Sequence, residues 1–283
     1  FSYGRVWRGP NNSSSRACNC LLAKVWQICR RVLQQCAHAK SRNCCSLECG
    51  ASNHKPVPEE LGAALEHVGA DVVFLTEFVD EGIGRDELRK RLDAAGYEHL
   101  HTTKRLPRHN QVLVASRLAF DIGDITPPAM DSHATANFVH VRLRDCDLEL
   151  IGIRAPAYKT GTEKSRYWGE VDGILHGVHD RALIAAGDFN EDPFKGVSDS
   201  FTSRRFHGSA SLRVEKPIGP WRYMNPHKET SRSRIDHVLH TPRVRVTDAR
   251  YLYEINGIQL AGPGPSPSLS DHAALTFAAE VTQ

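Results

Sequence analysis

The chain has 283 residues, of which 40% are hydrophobic and 24% are charged, ordinary values for a globular protein. That length is ample for a substantial core, in one large domain or two small ones. No apolar run approaches the ~18 residues of a membrane span, so a transmembrane helix is excluded, and no internal repeat indicates a solenoid. The first residues lack the pattern of a secretory signal, so we expect a cytoplasmic protein, and we expect a monomer.

The formal net charge of +3 is unevenly distributed along the chain. Residues 1–55 contain nine Lys or Arg and a single acid, Glu48, and seven of the eight cysteines also lie before residue 50. Residues 56–283 hold 27 basic and 32 acidic residues, a balance of −5, so charge alone does not indicate a nucleic-acid partner. The cysteines lack the paired spacing of a zinc site, and a disulfide framework would require export. We predict an atypical Cys-rich basic N-terminal segment over 1–55, outside the native core, and a folded domain over 56–283.

From residue 56 onward, patterns typical of helices and of buried strands follow one another. Helices are predicted from about Glu59 to Gly69, over 86–95 and over 163–178. Strands are predicted over 71–76, 97–101, 111–116, 137–143, 147–153, 182–186, 234–240 and 273–279. Several strands follow one another without an intervening helix, so we predict an α/β fold with mixed rather than purely parallel sheets.

Polar residues recur at the ends of these apolar strands or inside them. They are Glu77, Asp188, Asn190, Asp236, Asp271 and His272. Each has an ordinary explanation when taken alone, as a turn cap, a buried acid bonded to backbone amides, or a structural histidine. A buried carboxylate is unfavourable by several kcal/mol unless it is paired or binds a metal. The recurrence therefore suggests one common site at an edge of the sheets.

Five segments resemble a known family in their order and spacing. They are DVVFLTE (71–77), IRAPAY (153–158), LIAAGDFN (183–190), SRIDHVL (233–239) and LSDHAAL (269–275). This series is similar to the endonuclease/exonuclease/phosphatase superfamily, which includes exonuclease III-like and deoxyribonuclease I-like enzymes, neutral sphingomyelinases and inositol-polyphosphate 5-phosphatases. The resemblance covers roughly 56–283. It implies a catalytic domain with a four-layered α/β sandwich, in which two packed mixed β-sheets are flanked by helices.

The resemblance also implies a divalent-metal-dependent phosphodiester hydrolase in which water attacks the phosphate. Glu77 would be the principal carboxylate ligand of Mg²⁺, with Mn²⁺ as an alternative ion, and Asp271 would complete the polar cluster near the metal. Mg²⁺ prefers hard oxygen ligands and keeps several waters, so one or two carboxylates are sufficient.

Five further residues acquire catalytic roles from the resemblance. Asp188 would orient or deprotonate the attacking water, and Asn190 would hold Asp188 and the phosphate oxygens. His272 would contact the scissile phosphate, while Asp236 would bond the other ring nitrogen of His272 and fix its tautomer. Arg154 stands where the family commonly has Tyr or His. Arg154 would bind a phosphate oxygen, and its alternative is a side chain that faces solvent.

The N-terminal segment departs from the family pattern. The family usually begins with a strand that carries a metal-site Asn in a W-N-like motif. At about the matching distance this chain has Ser46-Leu47-Glu48-Cys49, without Trp or Asn. We therefore expect the first strand of the sheet to be missing or altered.

The substrate stays more open than the chemistry. Trp221 and Arg234 lie among aromatic and basic residues that could stack a base and bind a backbone, or could form a solvated loop. A phosphodiester substrate is implied, with nucleic acid as one candidate. A small phosphodiester, a phospholipid head group and an inositol phosphate are others. The alternative functions are a phosphatase or sphingomyelinase-like hydrolase of the same superfamily and a catalytically impaired relative that binds a partner.

Overall fold

Two six-stranded β-sheets lie at the centre of the structure. The structure is a computed structural model, and it describes residues 41–48, 56–107, 109–196, 200–207, 209–220, 223–224, 232–263 and 267–282. The helices of these ranges are α1 (Leu61–Val68), α2 (Arg85–Ala94), α3 (Ser132–Ala136), α4 (Gly161–His176) and α5 (Phe201–Phe206). None of them has the length and apolar character that a membrane-spanning helix requires.

Each sheet draws its strands from separate parts of the chain. The first sheet comprises β1 (Arg42–Glu48), β2 (Val72–Phe78), β3 (His99–Thr102), β4 (Gln111–Ser116), β13 (Val244–Leu252) and β16 (Ala274–Val281), in the order β13-β16-β1-β2-β4-β3. The second comprises β5 (Phe120–Ile122), β6 (Phe138–Leu143), β7 (Leu148–Arg154), β8 (Ala182–Asp188), β9 (Arg213–Glu215) and β12 (Asp236–His240), in the order β5-β6-β7-β8-β12-β9. Two short ribbons pair β10 (Tyr223–Met224) with β11 (Arg232–Ser233), and β14 (Glu254–Ile255) with β15 (Ile258–Gln259).

Both sheets are mixed, as the succession of strands predicted. β1 and β2 are parallel, as are β7 and β8, and the other pairs in the two sheets are antiparallel. The parallel strands β2 and β8 have apolar side chains on both faces because each sheet is covered on both sides.

Three hydrophobic clusters hold four layers together. One lies between the sheets and combines residues of β2 and β4 with residues of β6, β7 and β8. A second packs α1 and α2 on the outer face of the first sheet, and a third packs α4 on the outer face of the second. The sheets approach closely where Gly152 faces Phe74, since a Cβ at Gly152 would lie 2.3 Å from the ring. The predicted four-layered α/β sandwich is confirmed.

The N-terminal segment contributes a central strand, which corrects the sequence interpretation. β1 lies between β16 and β2, and Cys44, Cys45 and Leu47 are at most 1% exposed. The prediction that 1–55 lies outside the core is wrong for residues 42–48. The first strand, expected to be missing or altered, is present and lacks the W-N-like motif. Composition misled the prediction, because a buried cysteine packs as a small hydrophobic residue. Residues 1–40 and 49–55 lie outside the described residues.

Candidate active site

Three charged residues lie side by side at one edge of the second sheet. Arg154 ends β7, Asp188 ends β8 and Asp236 begins β12. In register, Arg154 is opposite Asp188, and Asp188 is opposite Asp236. The strand-end positions noted in the sequence therefore converge, because parallel strands end at the same edge and an antiparallel neighbour begins there.

Gly187 allows this row to form. Its φ is +141°, and a Cβ at this position would lie 2.0 Å from the carbonyl oxygen of Ile153 on the neighbouring strand. Any side chain would push β8 away from β7 just before Asp188. The glycine of the GDFN motif thus has a packing role, and Phe189 of the same motif is fully buried in the outer core.

Asn190 holds both carboxylate oxygens of Asp188. Its backbone N–H donates to Oδ1 at 2.8 Å, and its side-chain Nδ2 donates to Oδ2 at 3.0 Å and to the carbonyl of Ala155 at 2.7 Å. Asn190 has a φ of 49°, a left-handed conformation that Asn tolerates better than most residues. Asp188 and Asn190 therefore stabilise the turn after β8, and the same hydrogen bonds fix the carboxylate of Asp188 in the candidate site.

Asp188 is a buried acid with a perturbed pKa. It is 2% exposed, and burial together with the charge of Asp236 raises its pKa from 3.8 to about 6. Electrostatic interactions with His272 and Arg154 oppose this shift without cancelling it. A carboxylate with a pKa near neutrality is mostly ionised at pH 7 and is still basic enough to accept a proton from water.

His272 reaches the row from the first sheet. Its Nδ1 lies 2.9 Å from Oδ2 of Asp236, and the two side chains are 5% and 0% exposed. The backbone N–H of His272 donates to Oγ of Ser270 at 3.0 Å, which anchors the turn before β16. A carboxylate acceptor at Nδ1 favours the tautomer that carries its proton there. The pairing that the resemblance implied is therefore present.

Glu77 also belongs to the first sheet and meets Arg154 across the gap between the sheets. It has a left-handed φ of 53°, and the β2–β4 register shifts between Leu75 and Phe78, so a bulge turns Glu77 out of the ladder. Glu77 Oε1 forms an ion pair with Nη2 of Arg154, whose Nε lies 3.9 Å from Oδ2 of Asp188. Arg154 is only 17% exposed, so it links two carboxylates and does not face solvent.

Oγ1 of Thr76 and Oδ1 of Asn137 are among the buried polar atoms that have no hydrogen-bond partner in the described part of the chain. Thr76 precedes Glu77, and the backbone carbonyl of Asn137 accepts from the N–H of Arg154. Sequence reasoning missed both, although Asn137 directly precedes β6 and so occupies the same kind of strand-end position as the others. Unpaired buried polar atoms are rare, and water, an ion or a ligand usually satisfies them.

The donors at this edge suit a hard divalent cation. Glu77 offers a carboxylate that a cationic group, Arg154, already neutralises in the structure, and the unpaired atoms nearby are oxygens. Mg²⁺ uses few protein carboxylates and fills its other positions with water. Asp271 is half-buried and, within the described ranges, makes no hydrogen bond or salt bridge to another predicted site residue. Of the two predicted metal ligands, Glu77 fits the role better. No contact of Asp271 within the described ranges supports its role.

A different cluster satisfies a simple distance test for metal ligands. Among the described residues, only Asp124, His140 and Glu149 bring three potential ligand atoms within 4.8 Å of one another. This cluster lies near the starts of β7 and β8, at the opposite end of the sheet. Nε2 of His140 pairs with Glu149 at 2.8 Å, and its Nδ1 accepts from the N–H of Ile125 at 3.1 Å. Arg181 contacts Asp124 at 2.9 Å and Glu149 at 3.1 Å, so these charges are already matched.

The two predicted substrate residues have different outcomes. Trp221 lies outside the described residues. Arg234 is half-buried, and its Nε donates to the carbonyl of Pro220 at 3.3 Å. No hydrogen bond in the described part of the chain joins Arg234 to Asp188, Asp236 or His272. Its substrate role stays a prediction.

The comparisons with known proteins concern the family and the fold. A family model described as "Endonuclease/Exonuclease/phosphatase family" matches residues 43–272, a span that begins at the second residue of β1 and ends at His272. No curated protein sequence matches the chain significantly.

Several solved structures share the fold. An AP endonuclease from Archaeoglobus fulgidus has a TM-score of 0.59 at 14% identity, over 83% of this chain and 98% of that one. An endonuclease/exonuclease/phosphatase from Bacteroides vulgatus has a TM-score of 0.61 at 11% identity, over 86% and 99%. A 3′ phosphatase from Neisseria, bound to a product DNA hairpin, has a TM-score of 0.56 at 14% identity, over 83% and 98%. At such identities these similarities show the fold alone.

Proposed function

The chain belongs to the Endonuclease/Exonuclease/phosphatase family, whose hydrolases act on phosphoric esters, and from that premise we propose that it is a divalent-metal-dependent phosphodiester hydrolase. The observation that carries the proposal is the row of Arg154, Asp188 and Asp236, joined to Glu77 and His272 across the two sheets. A basic carboxylate, an oriented imidazole and a guanidinium meet at one point, which is the equipment for attack by water on a phosphate.

Asp188 is the general base of the proposed reaction. A water molecule attacks phosphorus, its proton passes to Asp188, and the ester oxygen leaves with the electron pair of the broken P–O bond. The pKa of about 6 gives Asp188 the basicity for this transfer at neutral pH, and Asn190 fixes the direction of its oxygens.

Arg154 and His272 contact the phosphate oxygens in this proposal. The guanidinium offers a fork of donors that matches two phosphate oxygens. In its protonated form the His272 ring donates from Nε2 to the phosphate, while Nδ1 donates to Asp236, whose charge stabilises the imidazolium. Asp236 acts as a positioning residue, since it acts on the substrate only through His272. These groups stabilise the charge that develops on the phosphate oxygens in the transition state.

Glu77 and Asp271 are the residues we assign to a bound divalent cation, with Mg²⁺ as the first candidate and Mn²⁺ as the alternative. When bound, the ion supplies Lewis acidity to the phosphate. A cation on Glu77 would replace Arg154 as its counter-charge, and Arg154 could then pair with the negative phosphate.

The test is hydrolysis of bis(4-nitrophenyl) phosphate by the full chain with Mg²⁺, compared with EDTA. We expect metal-dependent release of nitrophenol that falls at least about a hundredfold in Asp188→Asn, since general-base catalysis contributes about 10²–10⁴-fold. Asp93→Asn on the exposed face of α2 is the matched control and should retain the activity of the wild type. Activity that resists EDTA, or that survives Asp188→Asn, would contradict the mechanism.

A panel of substrates then separates the subclasses. Abasic-site duplex and plasmid DNA represent nucleic-acid substrates, which the structural similarity to an AP endonuclease and to a DNA-bound 3′ phosphatase suggests. Sphingomyelin and 4-nitrophenyl phosphate represent the alternative hydrolases of the superfamily. Inactivity on every substrate, with metal binding retained, would favour an impaired relative that binds a partner.

A further inference from the structure

Two buried hydroxyl groups of the first sheet donate to backbone carbonyls that belong to the second sheet or to the segment leading into it. Oγ1 of Thr103 donates to the carbonyl of Ala136 at 2.7 Å, and the hydroxyl of Tyr251 donates to the carbonyl of Asp236 at 2.9 Å. Thr103 and Tyr251 are 7% and 5% exposed. These two cross-sheet hydrogen bonds lie next to the two contacts that complete the candidate active site.

Thr103 continues the first sheet just beyond β3. Its N–H donates to the carbonyl of Val112 at 3.0 Å, and its Oγ1 accepts from the N–H of Val112 at 3.0 Å, so β4 fixes the position of the hydroxyl. Its acceptor, Ala136, precedes Asn137, whose carbonyl accepts from the N–H of Arg154 at 2.9 Å. The hydroxyl therefore connects the first sheet to the backbone segment that holds Arg154.

Gln111 extends this connection to the strand that carries Glu77. Its backbone pairs with Phe78, directly after the bulge in β2. Its side-chain Oε1 accepts from the N–H of Asp80 at 3.0 Å, and its Nε2 donates to the carbonyl of Thr103. Gln111 is 2% exposed, and a buried amide resists movement because a broken bond would leave a polar atom unsatisfied. The chain around Glu77 and the hydroxyl of Thr103 thus have a common support.

Tyr251 makes the corresponding connection at the other contact. It lies in β13 and pairs with Leu275 of β16, the strand that begins two residues after His272. Its hydroxyl bonds the backbone carbonyl of Asp236, whose Oδ2 lies 2.9 Å from Nδ1 of His272. Asp236 is therefore held from the first-sheet side through both its backbone and its side chain.

The charged contacts are poorly suited to keep the sheets aligned during the proposed reaction. A cation on Glu77 would free Arg154 for the phosphate, so this ion pair would not persist. The apolar packing between the sheets is non-directional and resists a lateral shift less than a separation. A hydroxyl hydrogen bond is directional and weakens steeply when its angle is distorted. It is also neutral, so it persists when the charges of the site rearrange.

We propose that Thr103 and Tyr251 are positioning residues that keep the two sheets in the alignment the reaction requires. Thr103 acts through Arg154, and Tyr251 acts through Asp236 and His272. The inference rests on the proposed function, because it concerns the alignment of groups to which that function assigns roles. Loss of either hydroxyl removes a directional bond between the sheets while the strand-to-strand hydrogen bonds within each sheet remain.

Two residues of the same types make similar bonds that do not join the two sheets, and they provide matched controls. Oγ1 of Thr241 accepts from the N–H of Leu183 at 3.1 Å and donates to the carbonyl of Arg181 at 2.6 Å, beside β8 of the second sheet. The hydroxyl of Tyr97 donates to the carbonyl of Ala70 at 2.9 Å in the outer core of the first sheet. Thr241 and Tyr97 are fully buried. Thr241→Val and Tyr97→Phe thus remove the same chemical groups without affecting a cross-sheet bond.

The test measures hydrolysis of bis(4-nitrophenyl) phosphate by the full chain with Mg²⁺, and unfolding by urea in EDTA. We expect Thr103→Val and Tyr251→Phe each to lower kcat by about tenfold, since misplacement of reacting groups by about 1 Å can lower a rate by about 10²-fold. The two controls should keep kcat within about twofold of the wild type, although their urea midpoints fall as much. Thr103→Ser retains the hydroxyl and should restore kcat, although it loses a buried methyl group.

An equal loss of kcat in the controls and in the cross-sheet variants overturns the proposal, as does full activity of the double variant Thr103→Val with Tyr251→Phe. Failure of the proposed function would appear differently, as a wild type that hydrolyses no substrate. Hydrogen exchange in EDTA then decides on the alignment. We expect the amide of Arg154 to exchange about tenfold faster in Thr103→Val than in Thr241→Val, because its acceptor follows Ala136. Equal exchange rates overturn the proposal.

Discussion

The two ends of the second sheet carry similar sets of charged residues and treat them in opposite ways. At the starts of β7 and β8, Asp124, His140, Glu149 and Arg181 satisfy one another, and both ring nitrogens of His140 are bonded. At the other ends of the same strands, Asp188 is buried beside a second acid and has a raised pKa. Oγ1 of Thr76 and Oδ1 of Asn137 nearby have no partner in the described part of the chain.

This contrast indicates at which end of the second sheet we expect a reaction to take place. Ligand-like atoms converge within 4.8 Å at the end where the charges already neutralise one another, so convergence there reflects salt bridges. At the other end, polar atoms lack hydrogen-bond partners and a carboxylate has a pKa close to neutral pH. This combination is typical of groups that bind and react with a substrate. The following predictions test that assignment.

The largest expected effect is on catalysis. Asp188→Asn should lower kcat on bis(4-nitrophenyl) phosphate by about 10²–10⁴-fold, because the variant has no base at this position. Glu149→Gln removes a charge at the opposite end of the same sheet and should leave kcat within about twofold of the wild type. Comparable losses in both variants would show that the contrast between the ends has no functional meaning.

The second largest effect should be on metal binding, which we expect at only one end of the second sheet. Glu77→Gln should weaken Mn²⁺ binding, measured by electron paramagnetic resonance, by about tenfold or more, since hard cations require carboxylate ligands. Glu149→Gln should bind Mn²⁺ as the wild type does, because its cluster is already neutralised by Arg181. The reverse order would move the metal site to the cluster of Asp124, His140 and Glu149.

Stability should respond in the opposite sense. Glu149→Ala leaves Nε2 of His140 buried without its partner, and we expect a loss of about 1–3 kcal/mol in the free energy of unfolding. Thr76→Val removes a buried hydroxyl that has no partner among the described residues and should be neutral or slightly stabilising. Urea denaturation in EDTA measures both. A large destabilisation by Thr76→Val would mean that this hydroxyl is satisfied in solution.

The smallest expected effect is the pH dependence of stability, to which His140 and Asp188 contribute with opposite signs. Burial lowers the pKa of His140 below 6.5, so below that pH the unfolded chain takes up the proton first and stability falls. His237, whose pKa burial lowers to about 4, acts in the same direction. Asp188 has a pKa of about 6 when folded against 3.8, so its carboxyl takes up the proton first in the folded state. Its unfavourable contribution is present above pH 6 and is relieved between pH 6 and 4.

Asp188→Asn isolates the second of these contributions. In EDTA at pH 7.5 the free energy of unfolding of the variant should exceed that of the wild type by about 1 kcal/mol. This net gain already includes the loss of one hydrogen bond to Asn190, and it should vanish near pH 4.5. His140→Gln should instead flatten the fall in stability between pH 7 and 5. Urea denaturation across this range checks both, and a gain that persists at pH 4.5 would contradict the charge-based explanation.

Much of the fold could be predicted because its strands are buried on both faces. The continuous apolar runs before Glu77 and Asp188 have one reasonable interpretation, and β2 and β8 lie where they were expected. β1 was missed because its buried positions are cysteines within a basic segment. β13 was missed too, although its buried and exposed residues alternate as expected of a strand at the edge of its sheet.

The candidate site was predictable in its members but not in its contacts. Strand-end positions and the resemblance named Asp188, Asp236 and His272, which the structure brings together. The ion pair of Glu77 with Arg154 could not be foreseen, since it depends on a bulge in β2 and on the separation of two sheets. The unpaired amide oxygen of Asn137 could not be foreseen either, because whether a buried polar atom has a hydrogen-bond partner depends on all the residues around it.

The packing of Phe74 against Gly152 fixes how far apart the two sheets lie, and both contacts that complete the site cross that interval. Glu77 lies in the first sheet and His272 lies just before its strand β16, whereas Arg154 and Asp236 belong to the second sheet. A sliding of one sheet on the other by little more than the width of a methyl group would separate both pairs while each sheet kept its own hydrogen bonds. In the proposed hydrolase, activity would therefore depend on the alignment of the two sheets, and we expect it to be lost before either sheet unfolds.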